Sequence, residues 1–239
     1  MSYDSGGRWT ARAAIPQVDV DVGLRQYMLR VYNYMAGGLA LTGLVAYFAA
    51  ASGFYQSIYG TPLYWVVLLA PLGMVLVLSF GIQRMSLGAA QLAFWAYAAL
   101  VGLSLSGIFI IYTQASIARV FFITAGMFAA MSIYGYTTRT DLSRFGSFLL
   151  MGLIGIILAS LVNIFIGSSA IQFAVSVIGV IVFVGLTAWD TQRIKEMYFE
   201  GDGAVIAGKK AIMGALTLYL DFINLFMLLL QFMGVQRRD

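Results

Sequence analysis

Ala211-Ile-Met-Gly-Ala-Leu-Thr-Leu-Tyr-Leu-Asp221-Phe-Ile-Asn-Leu-Phe-Met-Leu-Leu-Leu-Gln-Phe-Met233 is an apolar run with a single charge near its middle. A bilayer-spanning helix needs about 20 mostly apolar residues, so the run is long enough to cross. A carboxylate at that depth costs roughly 2.5–3.5 kcal/mol on insertion scales. A residue that expensive marks a functional site, and the first question is what it faces. Gly214, Thr217, Asp221, Asn224 and Gln231 recur at spacings of 3, 4, 3 and 7. Those spacings form one polar stripe on an apolar helix, which must face the bundle interior or a wet cavity.

Six further runs of this kind lie N-terminal to it, over 31–51, 63–82, 88–110, 118–136, 147–166 and 171–190. Short connections rich in Gly, Pro, Ser and Thr separate them, such as Gly60-Thr61-Pro62 and Gly167-Ser168-Ser169. The chain is 61% hydrophobic and 10% charged, where a soluble domain carries about 25% charged residues. It reads as an all-α membrane protein of seven transmembrane helices. Residues 1–27 read as a disordered cytoplasmic tail and 28–236 as the membrane domain. The tail is polar and the first apolar run is too long for the core of a cleavable signal. With no Cys and no His, thiolate chemistry, imidazole bases and the usual zinc or haem ligands are excluded, and oxygen is the ligand that remains. No cofactor is expected.

Positive charge sets the expected orientation. Arg8, Arg12, Arg25, Arg30, Arg84, Arg139, Arg144, Arg193, Lys195, Lys209 and Lys210 fall on the side of the N-terminus. Arg119, Arg237 and Arg238 fall on the other. The asymmetry places the N-terminus in the cytoplasm and the C-terminus outside. The net charge of +4 expresses this topology rather than nucleic-acid binding. The host membrane expected is a bacterial plasma membrane, and the first partner is the lipid bilayer.

Asp190 closes the sixth run. Thr191-Gln-Arg-Ile-Lys-Glu-Met-Tyr198 contains no breaker, so the helix is expected to continue to about Tyr198, with Gly201 and Gly203 ending it. On that reading Asp190 lies roughly 12 Å from its helix end, and Asp221 roughly 16 Å from a start near Lys210, at 1.5 Å per residue. Consecutive helices joined by a short loop are usually neighbours, so the two acids are expected to meet. Thr187 precedes Asp190 by three residues and is expected on the same face. Two carboxyls in contact titrate as a pair. A shared proton latches the helices, and its loss replaces a hydrogen bond with repulsion, a two-state element biased by pH. Once ionised, the oxygens suit hard cations such as calcium, in a weak site. The competing reading puts Asp190 at the interface, paired with Arg193.

These residues resemble a known family. Ala215-Leu-Thr-Leu-Tyr-Leu-Asp221-Phe-Ile-Asn224-Leu-Phe, with Leu-Leu-Leu-Gln-Phe-Met-Gly234 after it, is similar to the last-helix signature of the transmembrane Bax inhibitor motif family. Ala188-Trp-Asp190-Thr-Gln-Arg-Ile-Lys195 resembles its aspartate-bearing sixth helix. Thr140-Asp141-Leu-Ser143, Gly146-Ser-Phe-Leu and Ala159 to Phe165 resemble its fourth loop and fifth helix. The resemblance implies six helices surrounding a central C-terminal one. It implies a pH-sensitive calcium leak gated by Asp190 and Asp221, with calcium the transported ion and protons the signal. It also implies links to other membrane proteins and proteases. Bacterial members can carry a basic residue at the end of helix two that contacts the aspartates, and Arg84 is the residue nearest that place.

Two other functions compete. One is a non-transporting membrane regulator that binds other membrane proteins. The other is an intramembrane aspartyl protease, since two acids on adjacent helices suit acid–base chemistry. Those enzymes have Gly-x-Gly-Asp at the second acid, where this chain has Leu218-Tyr-Leu-Asp221, so the chain is read as not an enzyme. Asp141 is expected to cap a helix. Asn33 and Asn163 are expected to bond neighbouring helices. Gly38/Thr42 and Gly102/Ser106 are expected to permit close helix approach. Tyr59, Tyr64, Trp65, Tyr112, Tyr198 and Phe199 are expected in interface belts.

Overall fold

The computed structural model describes residues 17–237. It contains nine helices among those residues: α1 (Gln17–Ala51), α2 (Phe54–Ile58), α3 (Pro62–Gly81), α4 (Leu87–Leu105), α5 (Ile108–Ile111), α6 (Gln114–Thr137), α7 (Ser143–Ile166), α8 (Ser169–Glu196) and α9 (Ala204–Met233). Seven stretches are long and apolar enough to cross a membrane, with α4 and α5 together making one of them. The all-α, seven-crossing architecture is the expected one.

The helices start where the local chemistry favours it. Pro62 opens α3, where its missing N–H is no loss. Ser86, Thr113 and Ser168 precede α4, α6 and α8, and each side-chain oxygen accepts a first-turn N–H, from Ala89, Ser116 and Ile171. Gly167 ends α7 in the left-handed region at φ 66°, which a glycine adopts without strain. Asp141 does the work of a cap at α7, accepting the Ser143 N–H at 2.8 Å. That bond holds its carboxyl below the usual carboxylate range.

The helices overrun the apolar runs. α1 is helical from Gln17, so 17–27 is not a tail, and the rest of the expected tail lies outside the described residues. Gly23 is the one weak helix former there, and Tyr27 and Met28 are buried in the core. α9 begins at Ala204, six residues before Lys210, and α8 ends at Glu196 rather than Tyr198.

α9 is the most buried of the seven spans. Of the residues in its apolar stretch 67% are buried, against 6% in those of α3 and α7. It packs on α1, α4, α6 and α8. The expected ring of six thus resolves into four direct neighbours, with α3 packed mainly on α4 and α7 on α8. Small residues bring these helices close. A Cβ at Gly102 would lie 2.7 Å from the Thr42 carbonyl of α1, and one at Gly135 in α6 would overlap the Ala188 carbonyl of α8. Thr42 bridges α1 to α4 and α9, donating to Ala98 O at 2.8 Å and bonding the Tyr219 hydroxyl at 2.6 Å. The Gly38/Thr42 and Gly102 positions therefore serve packing within the bundle. Asn163 differs from expectation: its side chain accepts the Ser168 N–H in the turn after its own helix, and Asn33 is exposed. A five-residue reach makes that turn a nearer partner than any other helix.

At the far end, Val235 to Arg237 pair with the α5–α6 turn. Thr113 N–H donates to Val235 O, Arg237 N–H to Ile111 O, and Val235 N–H to Ser116 Oγ. Tyr55, Tyr59, Tyr64 and Trp65 form an aromatic cluster, edge-to-face except for the tilted Tyr55–Tyr59 pair. Tyr59 and Trp65 are exposed, as belt residues are. Tyr198 instead packs inward on Tyr27.

Candidate functional site

Asp190 and Asp221 sit on adjacent helices that pack along their length. The register is set by Gly214 of α9, where a Cβ would press on Ile194 of α8. From that contact both helices run one to two turns deeper to their acids. The earlier start of α9 therefore does not spoil the level: its first turns project past α8 and hold Leu87 against Gly208. Asp190 is 7% exposed and Asp221 5%. Asp221 Oδ2 is shut off from solvent with no hydrogen-bond partner among the described residues. A buried carboxyl oxygen without a partner is an expensive arrangement for a purely structural role.

Both acids line a cavity of about 600 Å³ between α7, α8 and α9. Thr217, Asn224 and Gln231 line the same cavity. The stripe from Thr217 to Gln231 runs roughly 21 Å along α9 at 1.5 Å per residue. Thr217 and Asn224 also bond their own helix, at Met213 O and Leu220 O. The opposite wall, from α7, is apolar apart from Ser160.

Thr187 is not part of this surface. It is fully buried and donates to Phe183 O at 2.8 Å. Three residues back from Asp190 falls about 60° short of a full turn, enough to face it elsewhere. Arg84 is likewise absent from the cavity: it is exposed, in the turn after α3. The nearby basic residue is Arg193, which lines the cavity and lies 5.5 Å from the centroid of the Trp189 ring. It makes no direct ion pair with Asp190; among the described residues the one salt bridge is Lys210–Asp202. The interface reading of Asp190 thus gave the right neighbour but the wrong exposure. The signal was the spacing Asp190–Arg193, one turn apart on one helix.

The loop joining the two helices is tied down on the same side. Lys210 bonds Met197 O as well as Asp202, and Lys209 bonds Gln83 O at 3.1 Å. Gln192 donates to Thr140 O at 2.9 Å and accepts the Leu142 N–H at 2.8 Å, fixing α8 to the loop before α7. Lys195 donates to Tyr136 O at 2.9 Å. The ends of α8 and α9 are therefore anchored, and the acids lie beyond the anchors.

Sequence comparison agrees with this architecture. A family model described as "Inhibitor of apoptosis-promoting Bax1" matches residues 24–238. The chain is 52% identical to the inner membrane protein YbhL of Escherichia coli over 219 residues, 90% of this chain and 94% of that one. It is 52% identical to the protein RP147 of Rickettsia prowazekii over 220 residues, 92% and 93% of the two chains. A membrane protein of Streptococcus pyogenes is 38% identical over 90% of this chain and 94% of its own length. Seven apolar helices, a buried last helix and a match across nearly the whole chain lead to one assignment: the protein belongs to the Bax inhibitor-1-like family of membrane proteins.

Proposed function

We propose that this protein is a proton-gated cation leak, with calcium as the carried ion and Asp190 and Asp221 as the gate. One observation carries the reading: both acids open onto a single cavity that also holds the polar stripe of α9. A cavity at membrane depth with Thr, Asn and Gln along it supports a wet path rather than a lipid-filled seam.

The gate works through a shared proton. With one proton between them, the carboxyls attract and hold α8 against α9. Once both are ionised they repel, by about 4 kcal/mol at 4 Å and an effective dielectric of 20. That energy is enough to shift a two-state helix pair from mostly closed to mostly open. The ionised pair then offers oxygen to a passing divalent cation. Two carboxylates are far from the six to eight oxygens of a storage site, so the ion is released readily. Arg193, beside Asp190, takes the role first assigned to Arg84: its charge favours the ionised state and competes with the cation. The protein is not an enzyme on this reading, because Leu218, Tyr219 and Leu220 precede Asp221 in continuous helix, where an intramembrane aspartyl protease has Gly-x-Gly. It resides in a bacterial inner membrane with its N-terminus in the cytoplasm.

The test is calcium flux from liposomes loaded with indicator dye, measured against pH. Wild-type flux rises as the pair loses its proton. Asp221→Asn gives flux that no longer responds to pH, and Asp190→Asn displaces the response. Unchanged flux and pH response in Asp221→Asn would refute the leak and favour a regulator that binds other membrane proteins.

A further inference from the structure

On the other side of α9 the helices α1 and α6 stand apart, joined by a hydrogen bond between the Tyr32 hydroxyl and Ser132. The gap is a crevice of about 710 Å³, floored by Phe128 and by Phe222 of α9. A second cavity of about 270 Å³ shares Leu39, Phe121 and Phe222 with it. The first cavity alone runs from Arg25 to Ala40 on α1, roughly 22 Å at 1.5 Å per residue, where one leaflet's hydrocarbon is roughly 15 Å deep.

Polarity along the crevice is graded. Arg25 stands at one mouth, with Tyr136 opposite. Tyr32 and Ser132 follow, roughly 10 Å deeper along α1, and the walls beyond are apolar. Among the described residues no acidic one lines either cavity. A second cation, Lys195, sits 5.2 Å from the centroid of the Tyr136 ring. We infer that this crevice is a binding site for one anionic phospholipid of the leaflet on the Arg25 side, its phosphate held at Arg25 and an acyl chain laid along Phe128 and Phe222.

The volume separates a lipid chain from a partner helix. A helix about 10 Å across and 22 Å long needs roughly 1,700 Å³, more than twice the space present. A chain of methylenes fits a narrow, branching apolar slot that a helix cannot enter. The charge selects the headgroup, since a basic residue at the membrane surface favours anionic lipid. The place of Arg25 at the mouth of the crevice assigns the leaflet. This inference is independent of the leak.

The experiment is native mass spectrometry of the full chain, delipidated in detergent and titrated with equal amounts of phosphatidylglycerol and phosphatidylcholine. Wild type is expected to retain one phosphatidylglycerol with roughly fivefold preference, the worth of one basic residue. Arg25→Gln, an exposed position, is expected to bring the two lipids to parity. Ala129→Trp and, on the facing wall, Ala36→Trp fill the crevice and are expected to lower retention of both lipids at least about threefold, since a bulky ring removes the space a chain occupies. Equal retention by wild type, a preference that survives Arg25→Gln, or undiminished retention in both tryptophan variants that elute as the wild type would each overturn the site.

Discussion

Two crevices flank α9, and their chemistry is opposite. The one toward α7 and α8 holds two acids, Arg193 and the stripe Thr217, Asn224 and Gln231. The one toward α1 and α6 is almost wholly apolar, with a single arginine at its mouth. The divide falls between successive residues: Asp221 faces the first and Phe222 floors the second, 100° apart on the helix. α9 thus carries one polar and one aromatic face. The comparison also explains why α9 is so fully buried by its neighbours: mixing the two environments would leave a carboxyl in lipid.

Exchanging the two chemistries gives the largest expected effect. Phe222 is 3% exposed and packs on Phe121 and Phe128 at ring distances of 5.5 and 5.6 Å. Phe222→Asp puts an unpartnered carboxylate in that cluster and is expected to cost about 3 kcal/mol or more. Asp221→Leu removes a buried polar group from the other face and is expected to leave the unfolding temperature in detergent at or above wild type, while abolishing the pH response of flux. A stable Phe222→Asp protein would mean that the second crevice is wet as well.

Plugging each crevice is the next largest test. Ser160 lines the α7 wall of the acid-bearing cavity, and Ser160→Trp is expected to lower calcium flux about tenfold, equivalent to 1.4 kcal/mol. Ala129→Trp, in the apolar crevice, is expected to change flux by less than about twofold. Equal inhibition by both would show that ions do not follow the polar stripe.

Much of this division was legible before any coordinates. The stripe on α9 could be read because 3- and 4-residue spacings have one meaning on a helix, and Asp221 stood out because its insertion cost has no local remedy. The seven crossings were legible as apolar runs. Their ends were not: the last helix is expected to start near Lys210, yet it begins at Ala204, with Lys209 and Lys210 bonding the neighbouring turns. Thr187 was misplaced because a three-residue spacing only approximates a shared face. Arg84 enters through the family resemblance alone, and nothing in the order of residues says which loop closes over which cavity. The apolar crevice was invisible, since a residue facing lipid and one facing a protein-lined gap have the same composition.

A smaller effect is expected where α9 is fastened between its two faces. The Tyr219 hydroxyl bonds Thr42 at 2.6 Å, with Tyr97 and Phe94 packed edge-on around its ring. Tyr219→Phe keeps the ring and loses the bond, an expected cost of about 0.6 kcal/mol, the average for hydrogen bonds within membrane bundles. Thermal unfolding in detergent measures it, and Thr42 retains its bond to Ala98 O. A loss several times larger would mean that this fastening, rather than packing, keeps the crevices apart.

The smallest effect is expected at Arg84, and its smallness is informative. Arg84 is exposed in the turn between α3 and α4 and lines neither crevice. Arg193 stands one turn from Asp190 on the same helix and lines the acid-bearing cavity. If the local cation acts through its charge on the acid pair, Arg84→Gln leaves the pH midpoint of flux where it was, within about 0.2 units, because exposed charges beyond a Debye length of about 8 Å are screened. Arg193→Gln moves the midpoint toward higher pH, because the protonated pair no longer competes with a neighbouring positive charge. The reverse result, a shift from Arg84→Gln and none from Arg193→Gln, would require α3 to swing its end across the mouth of the cavity in the working protein, and would make the outer helix part of the gate.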